Sequence, residues 1–208
     1  MKKLLLLASL AAATAFAQYK LEAAGASPAE VAPAIRAALQ KEGWRIVAAN
    51  GKVFCEIWLR AKAPLGAKTT EQNVSFTQIP PGSLLGVLRY PAQGADRRGQ
   101  VIKAGVYTLR LAFYPLDGAH QGVAPLRDFL KIIPAGIDTD LNATPAYDEL
   151  VKMSTQASGT SHPAILSAWK PDAPQPKASL VKEGEDWVLY ATMGEEPIAI
   201  LVVGAYQG

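Results

Sequence analysis

The sequence predicts a mainly β chain with two peripheral helices, an α+β fold whose body is antiparallel and β-sandwich-like. Three observations predict it. In residues 101–113, Val-Ile, a Lys-Ala-Gly break and then Val-Tyr-Thr-Leu-Arg-Leu-Ala-Phe read as a turn followed by a strand. Its Tyr107, Leu109, Leu111 and Phe113 share one face at period two, with Val106, Thr108, Arg110 and Ala112 on the other. In residues 44–60 two β-patterned runs flank Asn50-Gly51, the preferred pair for a two-residue hairpin turn. Near the C-terminus, residues 187–192 and 198–203 are almost wholly apolar, the pattern of strands covered on both faces.

Taken in order, residues 1–17 carry two lysines, an apolar run and the ending Ala15-Phe16-Ala17, the three regions of a secretory signal peptide. Cleavage after Ala17 is predicted, so residues 18–208 are expected to form a single exported β-rich domain, periplasmic or extracellular. Without its first 17 residues the 208-residue chain keeps 191, and the loss of Lys2 and Lys3 lowers the formal charge from +3 to +1. No later stretch is long and apolar enough for a membrane-spanning helix. Arg97-Arg98 is the only basic pair after residue 17 and reads as a loop tip, so no nucleic-acid partner is expected. The single cysteine, Cys55, excludes an internal disulfide and lies inside an apolar strand pattern, which reads as a small buried hydrophobe.

Ser27-Pro28-Ala29-Glu30 has the form of a capping box, and Val31, Ile35, Ala38 and Leu39 follow at helical spacing until Gly43. Pro33 conflicts with a helix starting at Ser27: either the helix is kinked or it starts late. Counting outward from Asn50-Gly51 sets Val47 opposite Phe54, Ile46 opposite Cys55 and Arg45 opposite Glu56, which puts a charge pair on the outer face together with Phe54 and Trp58. That outer face either packs under the first helix or presents a binding surface. Residues 74–79 suggest a short edge strand, and residues 83–90 a further strand. Residues 114–122 form a long loop before a strand at 129–133. Thr144-Pro145 opens a second helix with Tyr147, Leu150, Val151 and Ser154 inward, ending near Ser158-Gly159. A brief strand at 165–169 precedes the proline-rich connector 171–176.

The chain lacks a P-loop, a dinucleotide glycine fingerprint and a Gly-x-Ser-x-Gly elbow. Acidic residues at Glu183, Glu185, Asp186, Glu195 and Glu196 fall in two predicted hairpin turns, where solvated acids are ordinary. The reading is therefore a soluble, non-catalytic binding or structural module whose partner is a small molecule, glycan or protein, with Trp58 and Phe54 as candidate ligand-binding residues. The alternative is a metal-binding protein or metal-dependent enzyme. It rests on the two histidines, His120 and His162, which with Asp117 and Asp128 would form a zinc or copper site. The bland reading of the histidines is hydrogen bonding to loop backbone, and no cofactor is expected under the first alternative.

The segments Ala104-Gly105-Val106-Tyr107-Thr108-Leu109-Arg110, Asp117-Gly118-Ala119-His120, Arg127-Asp128-Phe129 and Ser158-Gly159-Thr160-Ser161-His162-Pro163 together resemble a family of uncharacterised exported bacterial proteins. The resemblance implies export and a β-sandwich-like body, and it assigns no catalytic role to any residue.

Overall fold

A computed structural model describes residues 18–116, 126–173 and 175–204; the expected signal segment and the candidate ligands Asp117 and His120 lie outside the described residues. In chain order the elements are β1 (Tyr19–Gly25), α1 (Pro33–Ala38), β2 (Gly43–Ala48), β3 (Val53–Leu59), β4 (Leu84–Tyr90), β5 (Gly94–Ala95), β6 (Val101–Ile102), β7 (Gly105–Phe113), β8 (Asp128–Pro134), α2 (Tyr147–Ser158), β9 (Ile165–Trp169), β10 (Ser179–Glu183), β11 (Asp186–Met193) and β12 (Glu196–Val203). Ten strands join edge to edge in the order β1-β2-β3-β4-β7-β8-β9-β12-β11-β10, every pair antiparallel, while β5 pairs with β6. Among the described residues the fold is thus mainly antiparallel β with two helices, a large sheet that nearly closes. Its sandwich-like layering arises because the short β9 joins two broad parts, β1-β2-β3-β4-β7-β8 and β12-β11-β10. Their inner faces meet in one core that includes Ile57, Leu88, Leu109 and Leu130 from the first part and Leu189, Ile198 and Ile200 from the second.

The β2–β3 hairpin keeps the expected register away from its turn, with Arg45 opposite Glu56 and Ile46 opposite Cys55. Near the turn it differs. The Gly51 amide donates to Ala48 O at 2.8 Å and the Ala48 amide to Lys52 O at 2.9 Å, so the loop has three residues, with Gly51 at φ +78° in the left-handed region. Val47 then faces Val53, and a bulge between Ile46 and Val47 restores the count. The extra residue is Phe54. Instead of lying outward it packs on the inner core and meets the Tyr19 and Tyr90 rings edge-on, at 5.8 and 5.7 Å between centroids.

The helix conflict resolves as a late start. Pro33 occupies the first turn of α1, where its missing N–H costs nothing, and Val31, Ile35 and Leu39 bury against the outer face of β3 and β4. Ser27 does not begin the helix. α2 ends as expected at Gly159, whose φ of +67° forms the left-handed cap. It covers the outer face of β7, β8 and β9 through Leu150, with Tyr147 and Met153 beside it. The suggested strand at 74–79 is instead an irregular segment whose Phe76 and Ile79 enter the core. It is held there because the Asp128 carboxylate accepts the Ser75 and Phe76 amides at 2.8 and 2.9 Å.

On the outer face of β7, Arg110 is fully buried and binds Asp138 through Nε and Nη2, both at 2.7 Å. Its remaining donors reach Gly82 O at 2.8 Å, Ala143 O at 2.5 Å and Asp140 O at 2.6 Å. Thr108 Oγ1 adds a hydrogen bond to Asp138 at 2.5 Å. The guanidinium fork therefore fastens residues 138–143 onto the sheet.

Candidate functional site

Among the described residues, a file of rings packs the interior at the end where β1 begins. Trp187, Tyr19, Phe54, Tyr90 and Tyr107 follow one another edge-on, with successive centroids 5.6, 5.8, 5.7 and 6.4 Å apart. At the opposite end Phe76 and Ile79 fill the core.

Of the residues the sequence put forward, Trp58 is 1% exposed and packs between the sheet and α1. Its indole N–H donates to Gly25 O at 2.8 Å, and its ring lies over Gly43, where a Cβ would stand only 2.5 Å away. Of the two readings of the outer hairpin face, packing under the first helix is the one found for Trp58; Phe54 leaves that face through the bulge. Asp128 is buried and holds the 74–79 segment. Burial raises its carboxyl above the usual range, an effect opposed by the Ser75 and Phe76 amides. His162 is exposed on the turn after α2, where its carbonyl accepts from Ser158 Oγ at 2.7 Å and its amide donates to Thr160 Oγ1 at 3.1 Å. Among the described residues no three His, Cys, Asp or Glu side chains come together as a metal ligand set. Cys55 is buried, and burial followed by the charge of Glu56 pushes its thiol up, which keeps it un-ionised.

One groove that combines a half-buried aromatic ring with charged groups lies on the outer wall of the second part of the sheet, and Asp128 is among its lining residues. It has a volume of about 390 Å³. β9 supplies Ser167 and half-buried Trp169, which alternate outward with Ile165, and β12 supplies Leu201. The end of β10 and the start of β11 bring Glu183 and Asp186, and the loop between β5 and β6 brings Arg97. Arg97 is no free loop tip: its Nε and Nη2 reach Asp186 Oδ2 at 3.2 and 3.1 Å. Asp186 Oδ1 is buried without a hydrogen-bond partner. Glu183 accepts the Tyr190 hydroxyl, and burial together with that carboxylate raises the Tyr190 pKa to about 12. The arrangement sets an aromatic face beside two carboxylates and an arginine, which suits a ligand rich in hydroxyl groups, while Asp186 Oδ1 itself is turned toward Gly204.

Sequence reasoning singled out Trp58 and not Trp169. The signal was present in Ile165-Leu166-Ser167-Ala168-Trp169, where period-two alternation puts Trp169 and Ser167 on the face opposite Leu166 and Ala168. What the pattern lacked was any indication that Asp186 and Arg97 stand beside that face. Comparison with protein-family models, with curated proteins and with solved structures finds no match to this chain.

Proposed function

We propose that the chain is an exported, non-catalytic binding module that holds a glycan or similar polyol in the Trp169 groove. The observation that carries the reading is the half-buried Trp169 ring standing in one groove with Arg97, Glu183 and Asp186. A sugar ring stacked on the indole supplies hydroxyl donors to Asp186 and Glu183 and accepts from Arg97. The signal-like residues 1–17 support export to a compartment where glycans of cell walls or biomass are accessible.

Isothermal titration of the mature protein with cellohexaose, maltohexaose, chitohexaose and xylohexaose tests this. At least one is expected to bind, and Trp169→Ala is expected to weaken that binding by about tenfold or more while leaving the melting temperature nearly unchanged. Absence of binding heat with all four at millimolar concentration, or binding indifferent to Trp169, overturns the reading.

A further inference from the structure

β8 buries its outer face under α2, and Lys131 stands on that face between Phe129 and Ile133. The residue is 1% exposed, and its Nζ lies 4.9 Å from the Phe129 ring centroid and 4.7 Å from that of Tyr147, the first residue of α2. Among the described residues no carboxylate pairs with it. The elements around it supply none that is free to do so. β7 places Arg110 directly opposite, already neutralised by Asp138. The loop between β5 and β6 brings Arg98, which repels the ammonium and whose own partner is Asp96. β6 and β9 contribute no ionisable side chain. Tyr114, stacked on Phe129, is kept un-ionised by burial. α2 brings its N-terminal end, which carries partial positive charge, while its Asp148, Glu149 and Lys152 are exposed.

We propose that α2 is an acid-released cover: protonation of Lys131 lifts residues 147–158 from the outer face of β8 and β9, while the chain on either side stays fastened. Before the helix, Arg110 holds residues 138–143 to the sheet through Asp138, Asp140 O and Ala143 O. After it, Thr160 Oγ1 donates to Gln100 Oε1 at 2.9 Å and Arg98 Nη2 to Pro163 O at 2.8 Å. Between these fastenings the helix rests on the packing of Leu150, Tyr147 and Met153 and on the hydrogen bond from Ser154 Oγ to Ala164 O at 2.7 Å. A neutral amine fits between two rings. An ammonium there forgoes water, and lifting the helix returns it. The Lys131 pKa is about 7 under the helix, against 10.5 for an ordinary lysine, so opening grows easier as pH falls from about 10.5 to about 7 and changes no further below. What opening uncovers is apolar, namely Phe129, Ile133 and Ile165, the last on the face of β9 that also carries Trp169. The inference stands whether or not a glycan occupies the Trp169 groove.

Amide hydrogen exchange of the mature protein at pH 8.5 and pH 6, corrected for the intrinsic pH dependence of exchange, tests this. The amides of residues 151–158 are expected to lose protection by about tenfold or more at the lower pH, with those of β2, β3 and β7 unchanged. In Lys131→Met the helix amides are expected to stay protected at both pH values. In the wild-type protein the ε-methylene shift of Lys131, followed by NMR, should titrate at the pH below which helix opening levels off, which needs no variant to fold. Helix protection that is equal at the two pH values, or lost equally throughout the sheet, overturns the proposal. So does an acid-dependent loss that persists in Lys131→Met, or a Lys131 that titrates near the ordinary lysine value.

Discussion

Arg110 on β7 and Lys131 on β8 stand directly opposite each other, both on the outer face of the sheet and both at most 1% exposed, yet they are held by different means. Arg110 has a carboxylate and three carbonyls around its guanidinium. Lys131 has no carboxylate partner among the described residues; its ammonium lies 4.9 Å from the Phe129 ring centroid and 4.7 Å from that of Tyr147. Ring faces attract a cation but replace only part of its hydration. Burial, and then the charge of Arg98, lowers the Lys131 pKa to about 7. Equal burial thus leaves one residue fastening a loop and the other an amine that loses its proton near neutrality.

The largest effect that would break this contrast is expected from Asp138→Ala, which strands a buried guanidinium and should lower unfolding stability by about 3–5 kcal/mol in urea titration. Replacing both partners with apolar residues, Arg110→Met with Asp138→Leu, should cost clearly less than the single change. If the single change costs under about 1 kcal/mol, water or the loop carbonyls suffice and the contrast fails. Lys131→Met is expected to act in the opposite direction, stabilising the protein by about 1–3 kcal/mol at pH 6.

That gain should depend on pH with a definite sign. The folded pKa, about 7, lies below the ordinary lysine value of 10.5, so between these limits the unfolded chain holds a proton that the native state lacks. The stability contributed at this site therefore rises with pH across that window: the penalty is full below about 7 and absent above about 10.5. The difference between wild-type and Lys131→Met unfolding free energies should shrink as pH is raised from 6 to 10. A difference constant with pH would show that Lys131 keeps an ordinary pKa. The smallest effect is expected from Tyr147→Leu, which removes one ring from the ammonium and should cost about 0.5–1 kcal/mol at pH 6, and less at pH 10.

The same pair of strands shows how far the sequence reaches. Alternation in residues 106–113 assigned Tyr107, Leu109, Leu111 and Phe113 to the core face, as found, and left Arg110 on the other face without a reason to be buried. Its partner Asp138 lies 28 residues away, in a stretch with no periodic pattern, so nothing local announced the pair. Arg45 opposite Glu56 was legible because one hairpin sets both positions, whereas the second arginine on Glu56, Arg89, comes from β4. Phe54 was misassigned to the outer face because a three-residue loop and a bulge offset each other, which preserves the register beyond them while turning one side chain inward. For the site, residue type drew attention to tryptophan, but only packing separates Trp58, enclosed by a helix, from Trp169, which lines a groove. Asp128 shows the reverse case: a plausible ligand by chemistry, it is taken up by two amides more than 50 positions earlier in the chain.

One consequence of the short β9 is mechanical. It meets β12 through only two register pairs, Ala199 with Trp169 and Ile200 with Ala168, whereas β11 and β12 share seven. The three-stranded C-terminal meander is therefore hinged to the remainder of the sheet by its shortest ladder, and thermal opening should run along that line first. The Trp169 groove straddles the same line, with Trp169 on one side and Leu201 and Asp186 on the other. Whatever seats itself there acts as a rivet across the hinge, so occupancy would register as slower amide exchange at Ala168 and Ile200 as well as in the groove itself.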